Sequence, residues 1–450
     1  MSASLALARA AAATSWRDLP QVVRDQAADL ILDAFGVIAA GGQNPQYAAY
    51  AKASGTAQGL CTIVGEPHRT GAAAAALING GATTVLQLQD GHRVARGHPA
   101  AHLVPAALAI AEEQGASAQD FLSAFVAGYE ASVRIGIALG GLKPEIHDAG
   151  TWSTFGAAVA ATFLITRDPA VIASAIDSAA AIPFLSWSQT APQGAGMHHL
   201  CIGLAASTGV TVAYGAVAGL NAIPGAVETF FGPRAGAAFK ESRLLESVQD
   251  GRWAHYELMH AYMKVHPTCA HLHGINDAVE HLIAKHAITG AAVAAVEIAS
   301  YAHGLAYDNH APKTELAARF SAAYTTAIAL LRGNLDADAV TAAALSDPAV
   351  MALVAKIKVV HDPALDQHYP AGRPSRVTIT MNDGRTFSEF CMYPRGDSTN
   401  PTTRAERRAK AQKLLAVRFG AGQADRIIAA FDGILTGGSL SAFAATLRGE

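Results

Sequence analysis

The sequence predicts a mostly α-helical fold: a large all-helical domain built from both chain ends, plus a smaller inserted α+β domain. Three observations predict it. Apolar residues recur at helical spacing through roughly the first 260 residues. Strand-like alternation takes over after about residue 265, and the helical pattern returns from about residue 403. The expected divisions are therefore 1–265 for the first part of the helical domain, 266–398 for the α+β lid, and 399–450 for the completion of the helical domain.

The elements follow in order. After Leu19-Pro20, residues Val23, Ala27, Leu30, Ile31 and Phe35 fall on one helix face, and Gly41-Gly42 ends the run. Stretches 99–114, 118–140, 151–166 and 169–182 are rich in Ala and Leu, the better helix formers, and Gly or Pro separates them. Residues 203–220 are apolar but interrupted by Ser207, Thr208 and Thr211. They read as a helix buried in a large soluble protein rather than as a membrane span of about 20 apolar residues. Residues 291–302 and 356–361 read as strands. Val377, Ile379 and Met381 alternate before Asn382-Asp383-Gly384, and a return strand runs through Phe387; Asp-Gly tolerates the positive φ such a hairpin turn requires.

Composition excludes several function classes. With 51% apolar and 15% charged residues among 450, the chain is no disordered polymer. A net charge of −3 and the absence of a basic stripe argue against nucleic-acid binding. Cys61, Cys201, Cys269 and Cys391 form no C-x-x-C pair, which excludes a zinc ribbon or thioredoxin-type motif and fits a reducing cytoplasm. The N-terminus lacks a basic n-region, and Arg9 breaks its apolar run, so no signal peptide and no membrane association are expected.

Eighteen histidines gather in four segments. The first holds Asp90, His92, His98 and His102; the second holds His147; the third holds His198 and His199. The fourth, at the boundary of the two patterns, holds Lys264, His266, Cys269, His271 and His273. A lone histidine is more often a hydrogen-bonded structural group than a catalyst, and that reading is kept for His92, His102, His255 and His260. Cys269 can equally be a small buried apolar residue. His98 and His102 stand at i and i+4, but H-E-x-x-H is absent and no ligand set is complete, so no metal is expected. No G-x-x-x-x-G-K-[ST] and no G-x-S-x-G occurs, which removes the P-loop and the serine-hydrolase elbow. Acid–base chemistry by His and Lys remains. Removing a proton beside a carboxylate builds enolate charge, which a cationic, hydrogen-bonding site stabilises while a positioned base takes the proton. A site rich in His, with one Lys and few acids, suits a small polycarboxylate.

The chain resembles the MmgE/PrpD family over nearly its whole length. The residues that carry the resemblance are Asn79-Gly80, the Q-L-Q-D-G…H-P of 87–99, and the I-H-x-x-x-x-x-S-T-F-G-A-A of 146–158. They continue in the C-I-G-x-A-A of 201–206, the K-V-H-P-T-C of 264–269 and the P-K-T-E-L-A-A-R-F-S-A-A-Y of 312–324. The resemblance implies a homodimer of two-domain subunits that needs no organic cofactor. It also implies one of three activities: 2-methylcitrate dehydration, cis-aconitate decarboxylation or iminodisuccinate epimerisation.

Carried over residue by residue, the resemblance makes His98, His147 and Lys264 site residues. Where the dehydratases and decarboxylases show D-F-x-D-T, the first acid aligns with Gln87, the second with Asp90 and the threonine with Gly91. A decarboxylase lysine aligns with His198, a later histidine with Cys201, and the histidine after the site lysine with Cys269. These departures fit an epimerase of iminodisuccinate type better than a lyase, because epimerisation needs an opposed proton donor and acceptor but no acid for a leaving hydroxyl. The expected catalytic set is Lys264 with His98, His147 or His198, and Cys269 as an alternative base. The expected substrate-binding set is Gln87, Asp90, His92, His199 and His266. The alternative is a lyase of the same family.

Overall fold

The computed structural model describes residues 2–55 and 57–450. The predicted helices form with small shifts at their ends: Gln21–Gly41, Pro99–Glu113, Ala118–Ala138, Thr154–Ile165 and Pro169–Ala181. Local chemistry sets their starts. Ser117 accepts from the Asp120 N–H, and Asp168 accepts from the Ala170 N–H, just before Pro169. The apolar run expected over 203–220 is a helix from His198 to Val217. Its length and composition resemble a membrane span, yet only 56% of its most apolar window is buried, so it is a flank of the domain rather than a central core helix. The helix Ala118–Ala138 is the fully buried one.

Alanine and glycine let these helices pack closely. The helix Ala72–Ala82 lies against His198–Val217 so tightly that a Cβ on Gly203 would stand 2.2 Å from the Leu77 carbonyl oxygen. Side chains of any size would hold the two backbones apart, and dispersion falls steeply with such a gap. Next to this crossing, the Asn79 amide bonds the Thr62 carbonyl (2.8 Å) and the Val64 N–H (2.9 Å), which fixes the incoming chain to the helix.

One hydrophobic core takes residues from Ala3 to Met263 and again from Ala411 to Leu447. The rings of Phe35 and Phe443 meet edge to face at 5.2 Å, joining the helix Gln21–Gly41 to Leu440–Thr446 at the far end of the chain. A second core takes residues from Cys269 to Met381, joined by Ala191. It is built on a four-stranded sheet ordered Ile357–His361, Val293–Ser300, Ser375–Met381, Thr386–Cys391. The first pair is parallel and the other two antiparallel. Val377 and Ile379 point into the core, against the helices His273–His286 and Ala322–Arg332. The expected hairpin closes at Asn382-Asp383-Gly384, with Gly384 at φ +87°.

Candidate active site

Three chain segments meet where the two cores adjoin and enclose a cavity of about 240 Å³. The first segment is the irregular stretch before the helix Pro99–Glu113. Gln87 and Arg96 both adopt positive φ there, +53° and +55°, which turns their side chains toward the cavity rim. Asp90 accepts hydrogen bonds from the Ala100 and Ala101 N–H groups at 3.1 Å, so its carboxylate caps the N-terminus of this helix. His98 sits at the cap position, with Nδ1 2.5 Å from the Asp90 carbonyl oxygen. One turn on, His102 Nδ1 lies 2.8 Å from the His98 carbonyl, while its Nε2 accepts the Gly150 N–H at 2.9 Å. That pair of bonds assigns the proton to Nδ1 and makes His102 a strut between the first and second segments.

The second segment is residues 142–150, held by the short pairing of Ile146-His147 with Ser186-Trp187. His147 Nδ1 accepts the Ala149 N–H at 3.0 Å. Asp148 stands between the two catalytic candidates, with Oδ2 3.4 Å from His98 Nε2 and Oδ1 3.2 Å from His147 Nδ1.

The third segment is the seam at 262–271 with its cover from the smaller domain. Lys264 is 1% exposed. Burial lowers its pKa to about 8, against the opposing pull of Cys269 and Asp148. Cys269 is also buried; burial pushes its thiol up although Lys264 acts the other way, so at neutral pH it stands as a thiol. His271 Nδ1 contacts the Tyr301 hydroxyl. Arg373 lies over the Tyr262 ring at 5.6 Å, and Arg96 over the Tyr369 ring at 5.3 Å.

Of the residues expected from sequence, Gln87, His98, His147, Lys264 and Cys269 line this one cavity. His198 stands behind it, with its ring 4.8 Å from that of His147 and Nδ1 buried without a partner. Four others face elsewhere. Asp90 is the helix cap, not a ligand contact. His92 accepts the Ala95 N–H and faces Glu257 at 3.7 Å. His199 bonds the Thr84 hydroxyl (3.1 Å). His266 pairs with Asp277 at 2.7 Å and Glu280 at 3.5 Å. His92 Nε2 is buried without a hydrogen-bond partner, and none of the four is among the residues that line the cavity.

Sequence reasoning missed the cover. Arg96, Lys143, Asp148, Tyr307 and Arg373 also line the cavity. Asp148 was readable as the neighbour of His147; Arg373 and Tyr307 lie far along the chain, and no local pattern marks them. The lining holds four cationic side chains, Arg96, Lys143, Lys264 and Arg373, against one carboxylate. Such a surface favours an anion with several carboxylates. A larger open groove of about 870 Å³, bordered by Arg17, Glu112 and Arg448, collects none of the expected site residues. Among the described residues, no group of three or more His, Cys, Asp or Glu is arranged to hold a metal ion.

The model of the MmgE/PrpD N-terminal domain matches residues 5–238, and that of the MmgE/PrpD C-terminal domain matches residues 266–433. A cis-aconitate decarboxylase-like protein of Aspergillus oryzae is 27% identical, over 96% of this chain and 94% of its own. Two cis-aconitate decarboxylase sequences of Aspergillus terreus are 26% and 25% identical, each over 84% of this chain and 82% of its own.

Proposed function

The chain belongs to the MmgE/PrpD family, and from that premise we propose that it is a lyase acting on a small polycarboxylate. The observation that carries the reading is Lys264: a desolvated ammonium, with its pKa lowered to about 8, in a cavity of cationic side chains at the meeting of two cores. When a carbon–carboxylate bond breaks, its electron pair must be taken up by the remaining carbon skeleton, and a proton must reach the carbon where that pair ends up. A buried lysine that is mostly protonated at neutral pH can donate that proton and regain one from water. Arg96, Lys143 and Arg373 would hold the carboxylates that remain and stabilise the charge that develops. The activity named for the Aspergillus relatives makes cis-aconitate the first substrate to offer.

A second reading, epimerisation at a carbon beside a carboxylate, draws support from the replaced residues. Gln87, His198 and Cys269 stand where the resemblance places an acid, a lysine and a histidine in decarboxylases. Lys264 lies on the seam, whereas His98 and His147 come from the helical domain. Groups reaching one ligand from separate segments are what a donor and an acceptor on opposite faces require.

Proton NMR in D₂O separates the readings. The enzyme is given cis-aconitate, 2-methylcitrate and one stereoisomer of iminodisuccinate in separate tubes. New vinyl signals with loss of a carboxylate, or loss of water, support the lyase. Deuterium entering an α-position with a second diastereomer growing in supports the epimerase. No reaction in any tube defeats both.

A further inference from the structure

Asp148 is the one carboxylate among the residues lining the cavity, and among the described residues no hydrogen-bond donor reaches it. Its Oδ2 is sealed from solvent and unpartnered, while the side chain as a whole is 21% exposed toward the cavity. The two ring nitrogens that face it offer no proton. His98 Nδ1 lies against a carbonyl oxygen, which can only accept, so the ring proton is on Nδ1 and Nε2 presents a lone pair to Asp148. His147 Nδ1 already accepts the Ala149 N–H, so it too presents no proton. Electrostatics agree. Burial lowers the His98 pKa to about 3, despite Asp148 beside it, so the ring is neutral at pH 7. Burial works against ionisation of Asp148, but His147, His98, His102 and Lys264 together hold its carboxyl below the usual range. The result is an ionised carboxylate and a lone pair 3.4 Å apart with nothing to share between them. Leaving a carboxylate oxygen sealed from solvent without a hydrogen-bond donor is costly, and nearby positive charge lowers its pKa without supplying that donor.

We propose that Asp148 makes this cavity selective for polycarboxylates that carry a hydrogen-bond donor, a hydroxyl or an amine, next to their carboxylates. The inference rests on the polycarboxylate reading above and narrows it: cis-aconitate, which carries no such donor, ranks below 2-methylcitrate and iminodisuccinate as a ligand. A hydroxyl donates its one proton to Asp148, and an amine or ammonium has a further proton for His98 Nε2, while Arg96, Lys264 and Arg373 take the carboxylates. A ligand of the same shape without the donor leaves Asp148 unanswered and adds negative charge beside it. Asp148 then sets specificity through its charge and its acceptor oxygens, independently of which bond the enzyme later breaks.

Titration calorimetry at pH 7 on the full chain tests this with matched ligands: citrate against tricarballylate, and aspartate and malate against succinate. Donor-bearing members are expected to bind about tenfold or more tightly than their donor-free partners, the scale of a hydrogen bond to a charged group. In Asp148→Asn the preference should shrink toward unity, and tricarballylate should bind more tightly than it does to the unaltered protein. Equal binding within the pairs on the unaltered protein overturns the inference and leaves the polycarboxylate reading standing. So does a preference that survives in Asp148→Asn. Binding of none of the five ligands defeats the polycarboxylate reading and this inference together. The ligand series on the unaltered chain remains decisive if the variant does not fold.

Discussion

At Lys264, function and stability pull in opposite directions. Its pKa in the fold, about 8, lies below that of an exposed lysine, so between about pH 8 and 10.5 the unfolded chain binds the extra proton. Stability from this residue therefore grows as pH rises through that window, and at neutral pH the buried charge is a burden. Lys264→Met is expected to raise the melting temperature at pH 7 and to lower turnover by a hundredfold or more, the scale of lost general acid–base catalysis, roughly 10²–10⁴. If Lys264 donates the proton, kcat of the unaltered enzyme falls as pH rises through about 8; a rise across the same limb would make Lys264 the base. Asp90 shows the reverse linkage. Burial, with the charge of Asp33 adding to it, raises its pKa to about 7 although the Ala100 and Ala101 N–H groups pull it down. The folded chain thus binds the extra proton between about pH 4 and 7, and the stability this contributes is lost as pH rises through 7. Asp90→Asn keeps an acceptor for the helix N-terminus without the buried charge. It should match the unaltered protein near pH 4 and melt several degrees higher at pH 8, while leaving the affinities for citrate, malate and succinate unchanged.

At the scale of the element, the helix Ala118–Ala138 carries an extended buried polar network. Glu130 and Arg134, one turn apart, pair at 2.5 Å with almost no exposure. Glu130 also accepts the Glu257 and Leu258 N–H groups at 2.8 and 3.0 Å, and Arg134 donates to Ser247 and to the His255 carbonyl while lying 4.5 Å from the Trp253 ring centroid. One helix turn thereby holds the chain that leads to Lys264. Removing one partner strands the other, so Arg134→Met is expected to cost about 3–5 kcal/mol in denaturant unfolding, and removal of both partners is expected to cost less than the sum of the two single removals. This network also marks the limit of sequence reading. Helix positions were legible because apolar periodicity and caps are local: the 118–140 pattern needs only its own residues. That Glu130 holds residues 257 and 258 depends on chain segments more than 120 residues apart, and no spacing reports it. The same division runs through the site. His98, His147 and Lys264 sit in short recognisable segments, whereas Arg373 reaches Tyr262 from a strand entry more than 100 residues on. His92, His199 and His266 belonged to the same dense segments and yet turn to local partners, because residue clustering in sequence does not say which way a ring points.

For the whole molecule, the C-terminal helices decide whether the cavity exists at all. Lys410 pairs with the fully buried Asp33 at 2.7 Å, and Arg404 and Arg407 reach Asp29 at 3.3 and 3.1 Å. Both acids lie on the helix Gln21–Gly41, and burial raises both pKa values against these cations. Removing residues 399–450 would strip both carboxylates of their cations and uncover Phe35, which packs against Phe443. The truncated chain is expected to be insoluble or to lose its cooperative melt, although every residue lining the cavity would remain. The second whole-molecule expectation concerns assembly. Trp187 is 59% exposed, Leu220 74% and Ile223 83%, on and beside the helix His198–Val217 that the domain leaves half uncovered. Leu220 and Ile223 follow each other closely after that helix, and exposed apolar groups of this kind mark an interaction surface; the family resemblance implies a homodimer, and a second copy is the expected cover. Light scattering on the purified chain should return twice the monomer mass. Leu220→Asp with Ile223→Asp should return the monomer, since neither residue supports the core and a buried, unpaired charge opposes association. A monomeric mass for the unaltered chain would remove the dimer from the account and leave the cavity, which is enclosed by one chain, unaffected.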